Sequence, residues 1–432
     1  MTTRIRIPYH HSALEAELPA ALVRAILTPA GHAAAGGTPP SDDEQRHRVA
    51  RALDQPVSSP KLEELAAGKR TATIITSDHT RPVPSWLTLP LLLERLRRGS
   101  PDIAIRILVA TGCHRPTTPA EMSEKFGGDV VRRETFIMHR CADSADMRRL
   151  ADLPSGGELW VNRHACDTDL LVAEGFIEPH FFAGFSGGRK SVLPGVVGRG
   201  TVLANHCAAF IADARARAGV LDGNPIHRDM LFAAQQARLA FILNVTLNAD
   251  KTVRAAFAGH PEHAHAAGCR QLASEAGVPR VSAEIVITGN GGHPLDQNIY
   301  QAVKGMTAAE SCCAENGTII MVAGCGDGSG GEDFRRALAG MKNPRDLLAA
   351  ILRVPQAGTK PDQWQVQILA RVLARHHVIL VSDLCDGALI RQMGMEHAAT
   401  LPAAIASARR RHGPEAGFTV IPDGVSVIVE SR

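Results

Sequence analysis

The chain has 432 residues, 45% of them hydrophobic and 21% charged, with a formal net charge of +3. At ~100–200 residues per domain, this is two or three globular domains with well-filled cores. The near-neutral balance and the 4% aromatic content argue against nucleic acid or an anionic membrane as a partner.

The N-terminus, "MTTRIRIPYHHSALEAELP", lacks the apolar core of a secretory signal. No run approaches the ~20 apolar residues that span a bilayer. Residues 28–45, "TPAGHAAAGGTPPSDDEQ", are poor in bulky apolar side chains and read as a loop. Short β-branched runs then alternate with longer helical patterns. Strands are expected at 71–76, 103–110, 168–173, 284–288, 317–323 and 377–382. Helices are expected over "SWLTLPLLLERLRRG", "PEHAHAAGCRQLASEAG", "LDQNIYQAVKGMTAAESCC" and "PDQWQVQILARVLARH".

This alternation predicts an α/β protein of two domains, each a mostly parallel sheet flanked by helices. The expected division is 1–275 for the first domain, a hinge at 276–282, and 283–415 for the second. The last residues, 416–432, read as strands that return to either sheet. Ligands of such sheets sit beyond the carboxyl ends of the strands, so an interdomain cleft is the expected site. The nine cysteines are scattered and contain no C-x-x-C pair. Neither a disulfide framework nor a zinc ribbon fits them, and reduced thiols in the cytoplasm are the simplest reading.

The unusual residues follow the expected strands. "SDHTRPVPS" places Asp78, His79 and Arg81 in a turn, because Pro82 disfavours helical geometry at Arg81. Arg81 can clamp a carboxylate bidentately, or simply pair with Asp78 at the surface. "TGCHRPTT" supplies His114, while Thr117 or Thr118 with Glu121 reads as a capping box. "EPHFFAGFSGGRKSVLPG" carries His180, Gly187, Gly188 and Lys190 on a glycine-rich bend, and "GRGTVLANH" reads as a helix bearing His206. Amides of the bend can hold a phosphate, although the P-loop spacing is absent. Gln301 and Lys304 share a helical face, with Tyr300 adjacent. The pairs at 263–265 and 376–377 read as structural histidines, and His10 and His11 as exposed.

In their order along the chain, "DHTRP", "TGCHRPTT", "EPHFFAGFSGGRKSVLPG", "ANH", "DQNIYQAVK" and "PDQWQ" resemble the nickel-dependent lactate racemase family over most of the sequence. The resemblance implies a nickel pincer nucleotide, the pyridinium-3,5-bisthiocarboxylic acid mononucleotide. It holds nickel through one carbon and two sulfurs. It implies Lys190 as the covalent thioamide anchor, His206 as the nickel ligand, and His114 with His180 as the acid–base pair. Asp78, Gly187, Gly188 and Trp364 match cofactor contacts. Arg81, Tyr300, Gln301 and Lys304 match substrate contacts. Cys113 stands where a hydroxyl or another small residue is expected, and His79 is a candidate for tuning substrate choice.

The implied activity is racemisation or epimerisation of a small-molecule 2-hydroxy acid by reversible hydride transfer. Two imidazoles of similar basicity suit work on both faces of one carbon. Cofactor maturation enzymes are the implied protein partners; the sequence leaves the oligomeric state open. Two alternatives are an NAD-dependent 2-hydroxy-acid dehydrogenase, which lacks its dinucleotide fingerprint here, and a non-catalytic carrier of the nickel nucleotide.

Overall fold

The structure is a computed structural model and describes residues 1–30 and 39–430. Two six-stranded sheets form its frame. In the first, the strand order is Val253–Gly259, Leu239–Leu247, Leu170–Phe176, Thr71–Ser77, Ala104–Ala110 and Thr135–Met138. All neighbours are parallel except the edge strand Val253–Gly259. Leu170–Phe176 is buried along its whole length, as a parallel strand covered on both faces must be. Leu87, Leu92 and Leu96 of helix Ser85–Gly99 pack on one face with Ile74 and Val172.

The second sheet runs Glu396–Ala398, His377–Val381, Cys313–Val322, Ala283–Gly289, Phe418–Ile421 and Val23–Ile26, all parallel. Helices Ile299–Cys312 and Gln363–Arg375 pack on it from the side that faces the first sheet. One apolar cluster runs between the two units and includes Ile75, Leu193, Met306 and Trp364. All six expected strands and all four expected helices are present.

The ends of the chain correct the expected division. Residues 2–26 belong to the second unit, not to a first domain of 1–275. The hairpin Thr2–Tyr9/Ser12–Pro19 buries Ile5, Ile7 and Tyr9 against Ile285, Ile287 and Ile320, and Val23–Ile26 pairs with Phe418–Ile421. Their alternating apolar residues need a sheet face to cover them, and the second sheet supplies it. Of the C-terminal strands, Phe418–Ile421 belongs to that sheet, while the last forms a small two-stranded sheet of its own. Ile428–Val429 pairs with Gly277–Val278, inside the segment expected to be the hinge. Of the expected loop 28–45, residues 31–38 lie outside the described residues. Asp42 already begins helix Asp42–Asp54, capped by Ser41 and Glu44. Among the described residues no helix is long and apolar enough to cross a membrane.

Candidate active site

Three neighbouring strands of the first sheet end on the same side. Thr71–Ser77 leads into Asp78, Ala104–Ala110 into His114, and Leu170–Phe176 into Glu178 and His180. The outer two flank the first, so their ends stand about 10 Å apart in the hydrogen-bonding direction. Opposite them, the first turns of helix Ile299–Cys312 bring Tyr300, Gln301 and Lys304, and helix Gln363–Arg375 brings Trp364. A cavity of about 730 Å³ lies between the two units. Asp78, Arg81, His114, His180, Gly187, Lys190, His206, Tyr300, Gln301, Lys304 and Trp364 all line it.

Asp78 is a buried partner of His114 rather than a surface mate of Arg81. Its Oδ2 lies 2.7 Å from His114 Nδ1, and its Oδ1 accepts from the Thr80 amide and hydroxyl. Burial opposes ionisation, but His114, Arg81 and Thr80 outweigh it and hold the carboxyl well below its usual range. A carboxylate can only accept, so Nδ1 of His114 carries a proton and is committed to Asp78. His180 has the opposite arrangement. Its Nδ1 accepts from the Ala183 amide at 3.2 Å, so the neutral ring carries its proton on Nε2. Burial, then the charges of Lys190, Lys304 and Arg81, push His180 well below the usual histidine value.

The bend after His180 is tight for a physical reason. Gly187 and Gly188 take φ values of +77° and +54°. A Cβ on Gly187 would meet Asn244 Oδ1 at 2.6 Å, and one on Gly188 the His265 ring at 2.7 Å. The Gly188 amide donates to Asn244 Oδ1 at 2.7 Å. That amide is therefore already used, and the expected phosphate contact at Gly188 does not follow from the geometry. Lys190 sits with Nζ 5.6 Å from the Phe182 ring centroid. Burial, then the cations Arg189, Arg81 and Lys304, lower its pKa far below the ordinary lysine value.

His206 closes helix Arg199–Asn205, with Nδ1 3.1 Å from the Val202 carbonyl. That contact fixes the proton on Nδ1 and leaves the Nε2 lone pair for a ligand. Burial, then Lys190, lowers its pKa to about 3, so the ring stays neutral. Phe182 and Trp364 stand edge-on to it, with centroids 5.1 and 4.9 Å away. Trp364 Nε1 donates to the Tyr300 hydroxyl at 2.7 Å, so the expected cofactor and substrate contacts hold each other.

Arg81 donates to the Thr80 carbonyl and hydroxyl. Burial, then Arg81, lowers the Lys304 pKa, while Glu178 opposes the shift. The buried Gln301 Oε1 has no hydrogen-bond partner among the described residues.

These features fit a tethered metallo-nucleotide. Among the described residues no group of three or more His, Cys, Asp or Glu side chains converges as a metal site. A metal on His206 must therefore bring its other ligands with it. Lys190 offers an amine in the same cavity, whose volume is that of a typical small-ligand site.

Residues 9–219 match the family model of the lactate racemase N-terminal domain, and residues 278–429 that of the C-terminal domain. The chain belongs to the lactate racemase family. It is an isomerase. A lactate racemase of Lactiplantibacillus plantarum is 53% identical over 386 residues, covering 89% of this chain and 91% of the relative. One from Thermoanaerobacterium thermosaccharolyticum is 49% identical over 428 residues, covering 99% of both. The lactate racemase apoprotein structure from the latter organism superposes with a TM-score of 0.93 at 48% identity, covering 99% of this chain and 100% of that one. A Thermotoga maritima protein with a TM-score of 0.68 and 18% identity shares the fold alone; the match covers 91% of this chain and 99% of that one.

Within this lactate racemase fold, several groups escaped the sequence reading. Glu178 is half-buried near Lys304 and Arg81, and burial raises its carboxyl pKa. Glu174 is buried in the cavity wall and accepts from the hydroxyls of Thr76, Ser85 and Thr88. Cys113 Sγ lies 3.5 Å from Cys141 Sγ. No local pattern signals these contacts, because each joins residues from different strand ends. His79 bonds Thr117 Oγ1 through Nδ1 at 3.2 Å.

Proposed function

We propose that this protein racemises lactate, a 2-hydroxy acid, using a nickel pincer nucleotide tethered to Lys190 and ligated by His206. Lactate is the substrate named for both relatives. The observation that carries the reading is the complementary hydrogen bonding of two imidazoles in one cavity. His114 has Nδ1 committed to Asp78, while His180 has Nδ1 occupied and its proton on Nε2. One ring has its Nδ1–H held by a carboxylate, and the other presents Nε2–H as a hydrogen-bond donor.

When bound, the nickel nucleotide supplies the acceptor of the C2 hydride and returns it. The chain does the rest. Arg81 and Lys304 hold the substrate carboxylate, so that only the C2 end turns. Gln301 Oε1 accepts from the substrate hydroxyl or water. His114 takes the hydroxyl proton of one enantiomer, and His180 returns a proton on the other flank. Each such transfer is worth ~10²–10⁴ in rate. His180 must be protonated to give that proton up cleanly. Acylating Lys190 removes one of the positive charges that depress it, and the substrate carboxylate offsets two more.

The cleft closes by flexing where the chain crosses between the units at 276–282. The nine free thiols suit a reducing cytoplasm, where maturation enzymes deliver the nucleotide. A mere carrier would have no use for the Asp78–His114 pair.

The test is holoprotein, with nickel quantified, acting on C2-deuterated L-lactate. D-lactate should appear with its deuterium retained. Washout of deuterium into water would exclude hydride transfer, and no D-lactate at full nickel loading would exclude racemisation.

A further inference from the structure

The bend between His180 and Lys190 has little regular structure of its own. It holds a two-residue strand pair, Pro179–His180 with Gly184–Phe185, and a short 3-10 turn, Gly188–Ser191. Its shape is set by side chains. Arg189, 2% exposed, spreads its guanidinium across the backbone. Nη2 donates to the Ala183 carbonyl at 2.7 Å, and Nη1 to Phe185 and Gly187 at 2.8 and 3.2 Å. Nε donates to His227 Nδ1 at 2.9 Å. His265 completes the set from behind, with Nε2 2.8 Å from the Ser186 carbonyl and 3.1 Å from Arg189 Nη1.

All these partners are neutral, and no ion pair involves Arg189 among the described residues. Burying a cation without a carboxylate is expensive. A lone amide would serve a purely structural bend at lower cost. What distinguishes this place is the next residue.

We propose that Arg189 is a positioning residue for Lys190: its fork fixes the bend that aims the amine into the cavity. The groups acting on Lys190 are Arg189, Arg81 and Lys304, which disfavour the ammonium, and Glu178, which favours it; the imidazoles of His180 and His206 share its surroundings. Arg189 is the largest of the charge effects, after burial itself. A carboxylate partner would cancel the field at Lys190.

The proposal rests on the reading of Lys190 as the cofactor anchor, but its test needs neither cofactor nor substrate. Full-length apoprotein is labelled with dilute acetic anhydride across a pH series, and each lysine is followed by peptide mass. The free amine attacks one anhydride carbonyl, acetate leaves, and the ammonium proton passes to water. Lys190 should reach half-maximal labelling at least about one pH unit below the exposed Lys61. Arg189→Gln should move that midpoint up by about one unit, and Arg189→Lys, which keeps a charge but loses the fork, should restore only part of it. Covalent nucleotide per chain, measured by intact mass after co-expression with maturation enzymes, should fall in the same order.

An Arg189→Gln chain with the wild-type midpoint and wild-type loading overturns the proposal. If that variant does not fold, the wild-type measurement decides: a Lys190 that titrates with Lys61 also overturns it. A Lys190 that labels early, yet never carries nucleotide, would instead sink the anchor reading and leave the positioning role standing.

Discussion

The Asp78 carboxylate lies 2.7 Å from Nδ1 of His114 and is only 2% exposed, while its other oxygen is held by Thr80. Asp78→Asn keeps the size of the group but offers an amide donor, which favours the wrong tautomer of His114. Lactate turnover should fall ~10²–10⁴-fold with nickel content unchanged. His114→Ala should fall as far, and the double variant no further, because the two act as one unit. Full additivity of the two losses would separate them.

Nickel content should distinguish ligand from acid and base. His206→Ala removes the imidazole whose Nδ1 is held by the Val202 carbonyl and whose Nε2 is open for a ligand, so metal per chain should drop several-fold. His114→Ala and His180→Ala should keep it and lose racemisation. Elemental analysis of chains matured in parallel reads this directly. Equal nickel in all three would remove His206 from the metal.

Substrate affinity should depend on the Lys304 ammonium. Its folded pKa is depressed by burial and Arg81, so it loses its proton well before an ordinary lysine, near ~10.4, would. Lactate Kd should therefore weaken as pH rises above neutrality, by at most about tenfold per unit for a single group. Glu178 opposes the depression, so Glu178→Gln should move this limb to lower pH. Titration calorimetry between pH 6 and pH 9 measures both. A flat profile would take Lys304 away from the carboxylate.

Cys113 at the cavity wall and its neighbour Cys141 should be sensitive to peroxide. Cys113 and Cys141 lie 3.5 Å apart, and Cys141 is lowered to about 6, through its contacts with Cys113 and Arg199. The two thiols give up two protons and two electrons, and hydrogen peroxide becomes two waters. The bond would drag Cys113, and with it His114, off its Asp78 contact. Activity should fall with peroxide and return with dithiothreitol, while Cys141→Ala should resist. A Cys141→Ala protein that is inactivated just as fast would exclude the pair.

Acid should unfold the apoprotein early. Burial holds His139 at about 4 and His227 at about 3, and His265 well below its usual value. Unfolded imidazoles titrate near ~6.5. The folded values are depressed, so the unfolded chain binds more protons in acid. Stability is complete above ~6.5 and declines as pH falls toward the folded values, by up to about 1.4 kcal/mol per unit per group. Urea midpoints at pH 7.5 and pH 5.0 should differ clearly; identical midpoints would contradict these burials.

Much of this protein was legible because buried parallel strands announce themselves. Runs such as "TATIIT" and "HVILVS" bury both faces and need no partner to be recognised. The hairpin Thr2–Tyr9/Ser12–Pro19 was not read, since its alternation says only that one face is covered and not by what. The site residues stood out as polar groups at strand ends. Their pairing did not, because Asp78 and His114 meet only through the order of strands in the sheet. The Arg189 fork was hidden by its neighbour: in "GGRKS" the lysine draws the eye, and the burial of the arginine is a property of the folded bend.

The strand Phe418–Ile421 lies between Ala283–Gly289 and Val23–Ile26. A segment made among the first on the ribosome therefore waits for one made among the last. Until residue 421 has emerged, Val23–Ile26 has no neighbour in its sheet, and that sheet, on which the helix bearing Tyr300 and Lys304 packs, is incomplete. A product truncated near residue 415 should therefore leave Val23–Ile26 unpaired and be prone to aggregate.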